Sequence, residues 1–476
     1  MSTKCRIYVR WMAVLVMLCM PLARTAQAQS SGAASKVLTL EEAIDFALKH
    51  YPSVRASLER VNAAQAGVGL ARTNYLPRAD MVWQTNRATD NNITGLLLPQ
   101  SIIAPISGPV TTSLSNQSAW GSAAGFLFSW EPLDFGYRGA KVDAARATRD
   151  QATADASLTR LDVAVATVNA YLTVLATHRT VQAAEADVQR RDTFDKAVRV
   201  LVDNQLRAGA DASRADAELA RARVNLARAR QQEKISRAAL ADILGLPDTS
   251  VEVRESFLLG PPPDGSPLAT PLANNPIAEV QHARVEETQA QVHVLDRSYY
   301  PKFYLQSSVY GRGSGWDPAG KFEGGTAGLG PDRSNWAVGL TVTFPVFDIF
   351  SIRSRKAIES ANERSEAARY DQALQDLTGQ LRKAQASLEG ARNVAENTPQ
   401  ELDAARTTET QVRARYQTGL ATLVDVADAQ SLLVQAETDD ALARLAVWQN
   451  LAAVAASQGD LQPFLQFLHD KTQGGP

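Results

Sequence analysis

The chain is written twice, and that constrains its fold more than any other feature. Tyr75-Leu76-Pro77 returns as Tyr299-Tyr300-Pro301, 224 residues on, and Pro52 returns as Pro276 at the same spacing. Farther along the spacing is 214. The run L-D-F-G-Y-R-G-A-K-V at 133–142 answers F-D-I-F-S-I-R-S-R-K at 347–356, and D-A-S-R-A at 211–215 answers D-V-A-D-A at 425–429. One ten-residue deletion, falling between the counterparts of Pro77 and Asp134, reconciles the two spacings. A repeat of this kind means that one structural unit has been used twice.

The first copy occupies 29–254. Two helices are expected over 39–75, the first opened by Thr39 with Glu42 three residues later, a capping box, and the second stopped at Pro77. Strands are expected at 78–88 and 119–132. In the latter, Trp120, Ser122, Ala124, Phe126, Phe128 and Trp130 alternate with Gly121, Ala123, Gly125, Leu127 and Ser129. That is period two with one aromatic, apolar face. A helical hairpin over 138–245 follows. Its first arm has no Pro and, past Gly139, no Gly as far as Asn204, which makes roughly 100 Å of helix. Leu158, Leu161, Val165, Val168, Leu172 and Leu175 step by three and four, a coiled-coil seam. A Gly-containing turn at 208–210 is expected to reverse the chain.

The second copy, 277–460, repeats this as a helix at 277–299, strands at 302–312 and 334–347, and a hairpin at 352–457 that turns at Gly419. A proline-rich linker, 255–276, joins the copies, and a tail, 461–476, closes the chain. The loops 89–118 and 313–333 are rich in Gly, Pro, Ser, Asn and Thr.

Residues 1–28 read as a secretory signal peptide: basic at 4–10, apolar at 11–20, and A-Q-A at 26–28 as a cleavage site. After it no run approaches the length of a membrane-spanning helix. Both cysteines, Cys5 and Cys19, lie in that segment, so the mature chain has neither disulfide nor thiolate chemistry. Leu18 precedes Cys19, where lipoprotein cleavage wants a small residue. Removing the segment leaves 45 basic against 51 acidic residues, which disfavours nucleic acid as a partner. The basic stretch 221–237 therefore reads as an exposed helix face whose Arg stems cover Ala. The five His (50, 178, 282, 293, 470) fall in no metal-ligand spacing, and no nucleophile–base pair is visible. No enzyme, metal or cofactor is expected.

Four strands of this length can cross an outer membrane, but four cannot close a barrel. An open edge in lipid leaves backbone groups unsatisfied at several kcal/mol each. Two chains would give a filled eight-stranded barrel, whereas three give twelve strands and a conduit. Trp83, Trp120, Trp130 and Trp336, with Trp316 nearby, read as membrane-interface aromatics.

The repeat, the Tyr-Leu-Pro and Tyr-Tyr-Pro exits and the run Tyr416-Q-T-G-L-A-T-L-V-D-V-A-D-A429 resemble the TolC family of outer membrane efflux proteins over nearly the whole mature chain. The resemblance implies an α+β membrane protein: a homotrimeric 12-stranded outer-membrane β-barrel, four strands per chain, continuing into a long periplasmic α-helical coiled-coil barrel. It implies an exit duct for a tripartite efflux pump, with a periplasmic adaptor and an inner-membrane RND or ABC pump as partners. It places an acidic ring at the inner tip, matched by Asp425 and Asp428, which lie three apart on one helix face. Such clustering raises carboxylate pKa and attracts cations. The first-copy counterparts are Asp211 and Arg214, so only the second hairpin supplies both carboxylates. Tyr416 matches a gate tyrosine, but Ala421 stands where the best-known member has an arginine, which leaves Arg413 or Arg415 as other closing contacts. The turns around Arg207, Gly209 and Asp211 and around Thr418, Gly419 and Leu420 are candidates for adaptor docking. The alternatives are the outer-membrane component of type I protein secretion, or a soluble periplasmic coiled-coil adaptor, which would need no aromatic period-two strands.

Overall fold

The structure, a computed structural model, describes residues 36–89, 117–246, 251–254, 258, 272–317 and 321–473. The signal segment, most of the first large loop and most of the proline-rich linker lie outside the described residues.

The first copy runs β1 (Lys36–Leu38), α1 (Leu40–His50), α2 (Pro52–Thr73), β2 (Arg78–Thr89), β3 (Ser118–Leu133), α3 (Tyr137–Asp203), α4 (Gly209–Ile243) and β4 (Val251–Val253). The second runs α5 (Pro276–Arg297), β5 (Lys302–Ser314), β6 (Arg333–Thr343), α6 (Asp348–Gln417) and α7 (Leu423–Gln458), followed by α8 (Gln462–Gln473). The repeat spacings fall on element boundaries. A shift of 224 carries Pro52–Thr73 onto Pro276–Arg297, and a shift of 214 carries the α3 end and α4 start, Asp203 and Gly209, onto Gln417 and Leu423.

Local chemistry sets several of these ends. Thr39 Oγ1 accepts the Glu42 N–H at 3.3 Å, while the Glu42 carboxylate accepts the Thr39 N–H at 2.9 Å, closing the capping box. The strand expected to reach residue 347 stops at Thr343, because Pro345 cannot donate to the ladder. The helix after it starts at Asp348 rather than 352. Pro399 sits inside α6, where it removes a backbone donor and crowds the preceding turn.

Three features escape the sequence pattern. Strands β1 and β4 pair in parallel, Lys36 opposite Val251, and are too short for alternation to reveal. The Tyr171 hydroxyl joins them, 3.1 and 3.2 Å from the carbonyl oxygens of Leu38 and Arg254. Burial pushes its pKa to about 12. The expected tail is instead α8, whose Phe464 and Leu468 are buried, with Phe464 edge-on to Trp448 at 6.4 Å. Finally, an 18-residue stretch of α3 is apolar enough to pass as a membrane helix. Its Val168, Tyr171, Leu172, Val174 and Leu175 are instead buried in the main core with Trp448 and Leu451 of α7.

Candidate functional site

The first functional surface is the sheet. Its order is β2-β3-β5-β6, antiparallel throughout. Paired residues share a face, so the register assembles one surface from all four strands. Trp83 pairs with Ala124, Met81 with Phe126, Phe126 with Val309, and Val309 with Trp336. Trp130 pairs with Leu305, and Leu305 with Leu340. These large side chains are exposed, Trp336 at 78% and Met81 at 68%. The opposite face carries Gln84, Asn86, Ser129, Gln306, Ser308 and Thr341. Among the described residues of the protomer, β2 pairs only with β3 and β6 only with β5, so both edges carry open backbone groups.

Two of the expected belt tryptophans sit differently. Trp120 is half-buried, with the Arg87 guanidinium 5.4 Å from its ring centre. Trp316 is only 9% exposed and packs at a tilt against Phe322, ring centres 5.2 Å apart. The β5–β6 loop folds back over this end of the sheet, where the Gly315 N–H donates to the Trp120 carbonyl at 2.8 Å. Trp316 is therefore a loop-core residue and not a lipid-facing one.

Where the strands become helices, Asp134 caps α3. Its carboxylate accepts the Arg138 N–H at 2.6 Å and the Arg138 Nε at 2.9 Å. The same guanidinium reaches the Asn74 carbonyl at 3.2 Å and stacks on Tyr75 at 4.9 Å. The Tyr-Leu-Pro exit is thus fastened to the start of the long helix.

The second surface is the far end, where the hairpin turns meet. Val198, Ala215, Tyr416, Leu423 and Val426 form a small apolar core there, with Phe194, Leu201, Val202, Val412 and Ala421 around it. Tyr416 is 2% exposed and lies 5.2 Å from the Phe194 ring. Burial pushes its phenol pKa up, the Asp211 charge adds to this and Arg207 opposes it. The Arg207 guanidinium sits 4.6 Å from the Tyr416 ring centre, and its Nη2 donates to the Tyr416 carbonyl at 2.8 Å.

The turns have different chemistry. Gly419, at φ +78°, is the left-handed residue of the second. In the first, that conformation belongs to Gln205, at φ +65°. Gly209 is instead the first residue of α4, so the turn lies ahead of the 208–210 expected from glycine. The pattern missed it because Gln carries no turn signal. Thr418 and Leu420 are exposed on the second tip.

Asp425 and Asp428 are both exposed on α7. Asp425 completes a capping box: its Oδ2 accepts the Thr422 N–H at 2.7 Å and the Thr422 hydroxyl at 2.8 Å. Those bonds, with the Arg415 charge, hold its pKa below the ordinary carboxylate value. Within one protomer the direction is thus opposite to that expected from clustering, because the cap hydrogen bonds favour the charged carboxylate. Arg413 pairs with Glu409 at 3.6 Å and Arg415 donates to the Leu420 carbonyl at 3.4 Å, so each serves its own hairpin. The basic stretch 221–237 is committed to α3: Arg223 pairs with Asp192, Arg230 with Glu185, and Glu233 bridges His178 and Arg237. Among the described residues no group of three His, Cys, Asp or Glu is placed to hold a metal ion.

Comparison with known proteins bears on both surfaces. The sequence pattern of the outer membrane efflux protein family matches residues 43–246 and 269–460. Protein CyaE of Bordetella pertussis is 26% identical over 435 residues, covering 89% of this chain and 84% of its own. The CmeC outer membrane channel of Campylobacter jejuni has the same fold, with a TM-score of 0.71 at 16% identity over 88% of this chain and 85% of that one. CusC, whose structures concern folding and transmembrane channel formation, has a TM-score of 0.73 at 14% identity, over 91% and 96%.

Proposed function

The chain belongs to the outer membrane efflux protein family, and from that premise we propose that three copies close a twelve-stranded barrel and prolong it as a helical duct through the periplasm. It is an outer-membrane exit duct. The observation that carries the trimer is the sheet, lined with large apolar side chains along one face and, among the described residues, unpaired at both edges. Lipid cannot satisfy open strand edges, and four strands are half the smallest barrel found in such membranes. Three copies join β6 of one to β2 of the next and leave no edge.

Conduction in this reading is passive. The energy comes from an inner-membrane pump, reached through a periplasmic adaptor that meets the turns at Arg207–Asp211 and Thr418–Leu420. Asp425 and Asp428, repeated three times around a narrow neck, form two acidic rings that draw cations. In-cell crosslinking followed by purification in mild detergent tests the assembly. The expected product is a trimer carrying an adaptor and a pump; a monomer in the soluble periplasm would overturn it. A proton-driven pump in that complex means small-molecule or metal efflux, and an ATP-driven one means export of peptides, proteins or drugs. Multivalent cations should block conductance in planar bilayers, and Asp425→Ala with Asp428→Ala should relieve the block. Equal block in the double variant would remove the acidic rings from the mechanism.

A further inference from the structure

We propose that the duct carries an anion-binding ring where its barrel meets its helices, built in each copy by Lys141 and Lys302 against the ring of Tyr137. The inference rests on the exit-duct reading, which turns the apolar face of the sheet to lipid and the polar face to the lumen. Lys302 opens β5 opposite Thr343. It keeps step with Tyr304, Gln306 and Ser308, so it belongs to the polar face. Tyr137 opens α3, and Lys141 follows one helical turn later on the same side. The Lys141 Nζ lies 4.4 Å from the Tyr137 ring centre and the Lys302 Nζ 4.7 Å. A helix and a strand thus bring their ammonium groups to one aromatic ring, whose π face attracts both.

What the cluster lacks is a counter-charge. The two nitrogens are no farther apart than those two distances laid end to end, and like charges at that range repel. Carboxylates nearby are engaged with other cations: Asp134 holds Arg138 and Asp80 holds Arg78, each at 2.9 Å, and Asp296 holds Lys356. Glu131 lies in electrostatic reach of Tyr304. Among the described residues neither Lys141 nor Lys302 forms an ion pair. The repeat adds to the excess. A shift of 214 carries Lys141 onto Arg355, which is exposed, and carries Tyr137 onto Ser351. Both copies therefore set a cation in the second turn of the long helix, and only the first holds it on an aromatic ring. An anion arriving between the lysines supplies the missing charge, and rings of Lys or Arg in pores select anions and phosphates. The ligand class is the carboxylate or phosphate groups of cargo in transit. Asp425 and Asp428 draw cations at one end of the helices, and Lys141 and Lys302 draw anions at the other.

Trimers of the full chain in planar bilayers test the ring, with inorganic tripolyphosphate as the probe. Added from the barrel side, tripolyphosphate should reduce potassium chloride conductance. Lys141→Gln with Lys302→Gln should raise the half-blocking concentration several-fold and move the reversal potential in a salt gradient toward cation selectivity. Equal block and equal selectivity in the double variant would overturn the ring. Neutral bilayers and bilayers containing phosphatidylglycerol separate anions in the lumen from lipid headgroups as the source. The same block in both is expected; a block lost only in the anionic bilayer would assign the lysines to lipid and overturn the lumenal site. Should the double variant fail to assemble, Tyr137→Leu keeps both charges and frees their ammonium groups. Weaker block in Tyr137→Leu, with parental block in Tyr137→Phe, supports the ring, and parental block in Tyr137→Leu overturns it. A parental chain whose channels ignore the probe counts against the ring alone, whereas one that forms no channel removes the duct reading and the ring with it.

Discussion

The two helical hairpins descend from one unit and are fastened in different ways. Along the first, ion pairs cross from α3 to α4: Arg191 to Glu218 at 2.8 Å, Asp192 to Arg223 at 3.4 Å, Glu185 to Arg230 at 2.8 Å and His178 to Glu233 at 2.7 Å. Matching positions in the second have changed character. Glu185 becomes Pro399, and Arg230 becomes Arg444, which turns back to Asp440 of its own helix at 3.0 Å. Glu233 becomes Val447, fully buried. At the N-terminus of the return helix the difference runs the other way. Ala208 offers α4 no side-chain cap, whereas Thr422 gives α7 a capping box. The first hairpin is braced along its length; the second carries a proline inside its first helix and a side-chain cap at its tip. A duct that must both stand and open can use one hairpin as frame and the other as moving part.

Exchanging the proline tests this most severely. Glu185→Pro should cost about 3 kcal/mol or more in a straight helix interior and cut the denaturant midpoint of the detergent-solubilised protein. A small loss would show that the first hairpin is no stiffer than the second. The reverse change, Pro399→Glu, restores a backbone donor and sets a carboxylate opposite Arg444. It should stabilise by roughly 1–2 kcal/mol and lower open-state conductance in bilayers; higher conductance would contradict a role for the proline in opening. At the tips, Thr422→Ala should cost about 1 kcal/mol, while Ala208→Thr should add up to a similar amount, both read as shifts in thermal midpoint.

The smallest effect is that of acid. Burial pushes Glu233 up, but hydrogen bonds and charge from His178 and Arg237 outweigh it and hold its pKa below 4.5. A depressed carboxylate stabilises fully above its ordinary value and loses that contribution as pH falls through the folded one. Below pH 4.5 the first hairpin should therefore lose a few tenths of a kcal/mol, discounted for partial exposure. Val447 does not titrate, so the second is insensitive at that level. Midpoints of a Glu233→Gln variant that fell equally with acid would assign the loss elsewhere.

Much of this was legible in the residues. Thr39 with Glu42 announced a cap, the alternation from Trp120 to Trp130 announced a strand with one apolar face, and the two spacings announced the duplication. What escaped depended on partners far along the chain. Three-residue strands have no period, so β1 and β4 were invisible until the parallel pairing of Lys36 with Val251. Phe464 and Leu468 look like tail residues unless Trp448 is seen beneath them. Glycine marked the turn at Gly419 correctly and misplaced its twin, because Gln205 takes the left-handed conformation without a turn-forming side chain. Arg207 read as a surface turn residue, and only the meeting of two hairpins gave it Tyr416.

The free edges of β2 and β6 also have a consequence in time. A newly exported protomer carries two ready templates for strand pairing beside a broad oily face, the condition under which sheets aggregate. Each copy is thus hazardous until its two neighbours arrive, and trimerisation and entry into lipid are best served by a single concerted event.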